Sequence, residues 1–266
     1  MIVNARMYSA TPASKRAWSE LLGWVLERAG LGWEIVEYAA PAPLGALWER
    51  DDLGCAMMCG LPWSRRRPRP ILVAAPVPSP VRYDGKPIYF TDIAVRADAP
   101  FERLEDTFGG VVGYTLRDSM SGYVALRAHL LPCREASGSP LYAKAVGGFV
   151  NARSVIEALA AGTIDVGPLD SYYHDLLKRG DAELAAKVKT VASTAAAPIP
   201  PFVATGMVAN ADLARLRSAL DAASTAPEVA AQRAALLLDR LTVPAESDYD
   251  ALASVLDAAT RYPDAW

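Results

Sequence analysis

The sequence predicts an α/β protein of two lobes, the second inserted into the first. Three observations predict it. The N-terminus reads as strand, helix, strand, a βαβ unit. Two punctuated crossings, near Asp92 to Val95 and near Ala192 to Pro198, bracket a further α/β stretch of about a hundred residues, a normal domain size. Within that stretch an apolar run, Val111 to Leu116, meets an amphipathic run, Tyr123 to Leu131, across the hydroxyl- and glycine-rich Asp118-Ser119-Met120-Ser121-Gly122. The reading is lobe 1 at 1–93 and 197–266, and lobe 2 at 94–196. A chain that leaves one lobe, builds another and returns makes a cleft with two hinge strands, a favoured place for a small ligand.

The elements follow in order. Ile2 to Tyr8 reads as a strand. Thr11 is placed to cap a helix with Pro12 at its first position, and Trp18, Leu21, Leu22, Val25 and Leu26 fall on one face. Gly30 stops that helix. Trp33 to Tyr38 alternates as a second strand. Pro43 to Arg50 is a short helix, Leu53 to Met58 a buried strand, and Cys59-Gly60-Leu61-Pro62-Trp63 a loop. Ile71 to Ala75 is apolar strand, followed by extended chain at Pro76, Pro78 and Pro80. Ile88 to Arg96 follows the Asp84-Gly85 turn as a strand. Ala152 to Ala161 is a helix ended by Gly162, Ile164 to Gly167 a strand, and Asp170 heads a helix that Gly180 ends. Val188 to Ala192 and Phe202 to Val208 read as strands. The tail reads as helices: Asp212 to Ala222, Pro227 to Asp239 and Tyr249 to Tyr262.

Composition narrows the function classes. In 266 residues, 52% are hydrophobic and 21% charged, which is enough for sizeable cores. The net charge is -3 and basic residues are dispersed, whereas phosphate-backbone binding needs a basic face, so no nucleic acid is expected. The run Arg65-Arg66-Arg67 lies beside prolines and reads as a solvated loop. Three cysteines, Cys55, Cys59 and Cys133, form no CxxC, and with only His129 and His174 they suggest no metal and no disulfide framework. No apolar run approaches the ~20 residues that span a bilayer. Met1 to Met7 lacks the apolar core of a signal peptide, so the chain reads as soluble and cytoplasmic as given, or periplasmic if a leader was removed.

The turn at Ser119 to Gly122 is the best candidate for chemistry. A strand-to-helix turn leaves outward N–H groups at the positive end of a helix dipole, which bind anions without charged side chains. Ser119 and Ser121 can cap or donate, and Gly122 permits close approach. An ordinary capped helix is the alternative. Asp170 can act as an N-cap, as a ligand contact or as both. Tyr8, Tyr89 and Thr91, at strand ends, and Tyr173, at a helix start, are further candidates. Nothing supports an activated nucleophile: there is no GxSxG and no GxGxxG after a strand, and neither histidine has a triad context. No catalytic residue and no cofactor are expected, and a binding protein is favoured over an enzyme.

Taken together, Tyr89-Phe90-Thr91-Asp92-Ile93-Ala94-Val95-Arg96, Asp118-Ser119-Met120-Ser121-Gly122-Tyr123 and Gly162-Thr163-Ile164-Asp165-Val166-Gly167-Pro168-Leu169-Asp170-Ser171-Tyr172 resemble the phosphonate-binding branch of type II periplasmic binding proteins. These are the solute-binding components of ABC importers. The resemblance spans about residues 88–192. It implies two Rossmann-like α/β lobes joined by two hinge strands, with a small phosphonate- or phosphate-like anion held between them. It implies ligand contacts from Ser119, Ser121, Gly122 and Tyr123, and an amine or hydroxyl contact from Asp170. By the same topology Tyr8, Thr11, Cys59 and Gly60 would face the cleft from lobe 1. The implied partners are the anion and an ABC permease, and the chain is expected to be a monomer. Met120 stands where the family has a small hydroxyl residue, which removes one donor. Two other readings of the same fold stay open: a cytoplasmic enzyme of menaquinone or thiamine-precursor biosynthesis, and a ligand sensor.

Overall fold

The computed structural model describes residues 1–262 and 266. The chain forms two compact units, Met1–Ile88 with Pro198–Asp250, and Tyr89–Ala197 with Ala251–Trp266. The chain therefore passes between units three times, at Ile88/Tyr89, Ala197/Pro198 and Asp250/Ala251.

Unit 1 is built on a six-stranded sheet. From edge to edge its strands are Leu238–Thr242, Ile71–Pro78, Phe202–Ala204, Leu53–Met57, Ile2–Asn4 and Glu34–Ile35. Ile2–Asn4 runs parallel to both its neighbours, as a βαβ crossover requires. Phe202–Ala204 enters antiparallel to Leu53–Met57 and Ile71–Pro78. The prolines of Ile71–Pro78 cost no ladder bond. Ser79 N donates to Leu237 O at 2.8 Å, so odd-numbered N–H groups face the edge strand. Positions 76 and 78 face the other side, beyond the last pairing with Phe202–Ala204. The first helix, Pro12–Ala29, buries Trp18, Leu21, Leu22 and Val25, and Gly30 closes it with the left-handed φ of 61° that glycine adopts without penalty. Trp18 meets Phe202 edge-on at 5.7 Å.

Unit 2 holds a five-stranded sheet in the order Val188–Ser193, Thr91–Arg96, Val166–Asp170, Val111–Gly113 and Lys144–Val146. Its core gathers Ile93, Val95, Leu104, Val112, Leu126, Leu130, Leu141, Tyr142 and Val166. The helices Ala125–Ser137, Ala152–Ala160 and Ser171–Gly180 follow strands of this sheet.

Several sequence expectations are corrected here. Asp92 to Val95 is not a crossing but lies in an interior strand of the unit 2 sheet, and the chain changes unit at Ile88/Tyr89. The tail is divided, because Ala251–Trp266 belongs to unit 2, where the helix Ala251–Thr260 packs on Ala125–Ser137. The loop at Cys59 to Trp63 is instead a helix, Gly60–Arg65, with Cys59 at its head. The helix read over Pro227 to Asp239 ends at Ala235, and Leu238–Thr242 is the edge strand of unit 1, with Leu237 turning the chain at φ 49°. The amphipathic run from Tyr123 continues through Pro132 to Ser137. For Leu238–Thr242 and Thr91–Arg96 the origin is the same: strand partners distant in sequence override local propensity.

Candidate functional site

Within unit 2 the candidate turn is a π-helical winding, Met120–Val124, set on the head of Ala125–Ser137. Such windings are rare and concentrate at functional sites. Val124 N reaches back to Ser119 O at 3.1 Å, and Ser119 Oγ accepts from Gly122 N at 3.0 Å, so Ser119 is the cap. The N–H groups of Met120 and Ser121 find no acceptor among the described residues. Met120 is buried and turns its side chain into the unit.

Gly122 is fixed by a neighbour that the sequence reading missed. A Cβ there would stand 1.8 Å from Thr115 Oγ1, an impossible approach. Thr115 N also donates to Gly122 O at 2.9 Å. The glycine thus lets the turn close on the end of strand Val111–Gly113.

Thr91 and Asp170 are register partners on adjacent antiparallel strands, which sets both at one end of the sheet. Thr91 Oγ1 donates to Ser121 O at 2.9 Å, tying the turn to the sheet. Thr91 is itself fixed by Thr194, whose Oγ1 accepts from Thr91 N at 3.1 Å. Asp170 Oδ1 accepts from the N–H groups of Tyr172 and Tyr173 at 3.1 and 3.0 Å, so Asp170 caps Ser171–Gly180. Its second oxygen lies 3.4 Å from Ser121 Oγ, which donates to it. Four of the predicted residues, Thr91, Ser121, Gly122 and Asp170, therefore converge, with Ser119 completing the turn.

The other candidates are placed differently. Tyr123 is buried in an aromatic layer with Tyr114 at 5.0 Å and Trp266 at 5.3 Å. Tyr173 is buried, and that burial pushes its hydroxyl up to about 12, with Arg153 opposing the shift. Tyr89 is buried at the start of unit 2. In unit 1 the hydroxyl and N–H of Thr11 are engaged in a capping box with Ser14, at 3.1 and 2.9 Å. Tyr8, Cys59 and Gly60 are buried in the same unit, Cys59 and Gly60 at the head of the helix Gly60–Arg65.

Below Thr91 lies a buried polar chain that the sequence reading also missed. Asp92, fully buried, sits 3.0 Å from His174 Nδ1 and accepts from Ser193 Oγ at 3.0 Å. With a carboxylate at Nδ1, the imidazole carries its proton there and donates. This pair staples the strand Thr91–Arg96 to the helix that Asp170 heads. Asp92 was in a recognised motif and His174 was one of two histidines, but only the fold brings them together. Among the described residues no group of three or more His, Cys, Asp or Glu could hold a metal ion.

The turn thus gathers hydroxyls and helix-head N–H groups on one of two α/β units that the chain crosses repeatedly. The family model for "ABC transporter, phosphonate, periplasmic substrate-binding protein" matches residues 8–249, and the chain belongs to that family. Solved structures agree in fold. The binding-protein component of an ABC phosphonate transporter from Pseudomonas aeruginosa superposes with a TM-score of 0.81 at 16% identity, covering 98% of this chain and 87% of that one. PhnD1 from Prochlorococcus marinus, in complex with methylphosphonate, gives 0.74 at 12% identity, covering 96% of each chain. A Xanthomonas citri protein bound to chloride gives 0.68 at 17% identity, covering 98% of this chain and 97% of that one. No curated protein matches the chain. The family assignment supports a substrate-binding protein and gives no support to a biosynthetic enzyme or a sensor.

Proposed function

We propose that the turn Ser119–Gly122 binds a small tetrahedral oxyanion of the phosphonate or phosphate type, which the protein delivers to an ABC permease. The observation that carries this is the pair of N–H groups at Met120 and Ser121, which have no acceptor among the described residues, beside the Ser121 hydroxyl. Orphan donors at a helix head stabilise an anion directly. Asp170, 3.4 Å from Ser121 Oγ, accepts from an amine, a hydroxyl or an acidic proton of the ligand. A bare dianion is repelled there, so the carboxylate selects ligands that carry a donor next to the anionic group. The methylphosphonate held by the Prochlorococcus relative is of this ligand class. Membership of a periplasmic binding-protein family supports action outside the cytoplasm. Among the described residues no helix is long and apolar enough to cross a membrane.

Calorimetric titration with methylphosphonate, 2-aminoethylphosphonate, phosphate and sulfate tests the proposal. At least one phosphorus oxyanion binds, and the Ser121 hydroxyl, which donates to Asp170 in this structure, rotates to donate to the anion, so Ser121→Ala weakens binding by about 1–3 kcal/mol through loss of a charge-assisted hydrogen bond. Failure of every phosphorus oxyanion to bind, or an unchanged affinity in Ser121→Ala, sinks it.

A further inference from the structure

The tail Ala251–Trp266 follows the residues that the family model matches, yet it packs against the candidate turn. Its contact runs through Tyr123, the last turn residue but one. The Tyr123 ring meets Trp266 nearly perpendicularly at 5.3 Å, and Trp266 stacks on Tyr114 at 5.3 Å. Trp266 is held in turn by its own backbone, whose carbonyl accepts from Leu141 N at 2.5 Å.

Arg127 fastens this assembly. It is buried, one to two helical turns past Ser121, with its guanidinium 4.8 Å from the Trp266 ring and 5.5 Å from that of Tyr123. Its Nε donates to Ala259 O at 2.7 Å, and a second nitrogen donates to Tyr262 O. The Ala259 carbonyl lies at the C-terminal end of Ala251–Thr260, where a helix dipole favours a cation, and Tyr262 follows that helix. A planar fork between two carbonyls and two ring faces is a geometry that lysine does not reproduce.

We propose that Arg127 and Trp266 are positioning residues for the anion turn: the tail, fastened to Arg127, clamps Tyr123 and so holds the Met120 and Ser121 N–H groups in their ligand-ready arrangement. The importance of the clamp for affinity rests on the reading of the turn given above, but the clamp itself has an independent readout.

The experiment is amide hydrogen exchange of the ligand-free protein, paired with calorimetric titration of methylphosphonate and inorganic phosphate. Trp266→Ala speeds exchange at the bonded amides of Gly122 and Val124 by on the order of tenfold, leaving the unit 1 strands unchanged. Trp266→Phe keeps the ring contact and retains most of the protection. Arg127→Lys exchanges as fast as Arg127→Ala, since charge alone does not rebuild the fork. Anion affinity falls in parallel, by on the order of tenfold in Trp266→Ala and much less in Trp266→Phe. Unchanged exchange at Gly122 and Val124 in Trp266→Ala overturns the clamp. Equal loss in Trp266→Phe and Trp266→Ala overturns the role of the ring contact. Faster exchange with unchanged affinity overturns its role in binding. If the unmodified protein binds neither anion, the functional reading of the turn fails, while the exchange data still decide the clamp.

Discussion

Two strand-to-helix turns, one in each unit, are alike in composition and opposite in outcome. Ser9-Ala10-Thr11-Pro12 in unit 1 and Ser119-Met120-Ser121-Gly122 in unit 2 both place hydroxyls at a helix head. In the first, Thr11 and Ser14 spend their hydroxyls on each other's backbone N–H groups. In the second, Ser119 caps Gly122, the winding is π-helical, and the Met120 and Ser121 N–H groups have no acceptor among the described residues. A closed capping box stabilises a helix, whereas an open one leaves donors for a ligand. What separates them is the bookkeeping of donors rather than the residue types.

The largest effect expected from breaking the contrast is at Gly122. Gly122→Ala forces a methyl onto Thr115, 1.8 Å from its hydroxyl oxygen. The turn must open, with an overpacking cost of about 1–3 kcal/mol or more and loss of anion binding. Urea unfolding and calorimetry measure both, and a fully stable, fully binding variant would show that the turn is not held as described. Next comes the staple beneath the unit 2 turn. His174→Ala removes the Asp92 partner in a fully buried setting and costs about 2–4 kcal/mol, read as a lower urea midpoint. A loss below 0.5 kcal/mol, roughly the size of an ordinary surface substitution, would mean that the pair carries little.

A smaller pair of changes sharpens the comparison directly. Thr11→Ala and Ser119→Ala each remove a cap and each cost about 1 kcal/mol of stability. Only Ser119→Ala also weakens the anion, because only its turn presents two adjacent open N–H groups beside a hydroxyl and a carboxylate. Equal affinity in both variants would erase the functional difference between the turns. The smallest effect is alkaline. Burial raises the hydroxyls of Tyr142 and Tyr173 to about 12 from an ordinary 10. The folded state keeps protons that the unfolded state loses, so stability is full below pH 10 and falls as pH rises from 10 to 12. Each tyrosine accounts for roughly 1 kcal/mol by pH 11. A urea midpoint that is flat from pH 9 to 11 contradicts this.

Much of the fold was legible where local signals agree. Thr11, Pro12 and Gly30 frame the first helix as read from cap and stop residues. Val155, Ile156 and Leu159 are buried on a helix that Gly162 follows with φ 68°. Asp170 caps its helix, and the residues meant to hold the anion include four that meet in space, Thr91, Ser121, Gly122 and Asp170. Less of the site was legible where partners are remote. Thr115 explains Gly122, and Asp92 finds His174, only after strands Val111–Gly113, Thr91–Arg96 and Val166–Asp170 lie side by side. Leu238–Thr242 became a strand because Ile71–Pro78 offered it an edge.

The sequence by itself determined the α/β class, the helix heads and the place of the candidate turn, since caps, glycines and apolar periodicity act within a few residues of one another. Only the tertiary structure decided which turn keeps its donors open, that the tail Ala251–Trp266 serves unit 2, and that Trp266 stands behind Tyr123. Those outcomes depend on contacts between residues far apart in the chain, which no local pattern encodes.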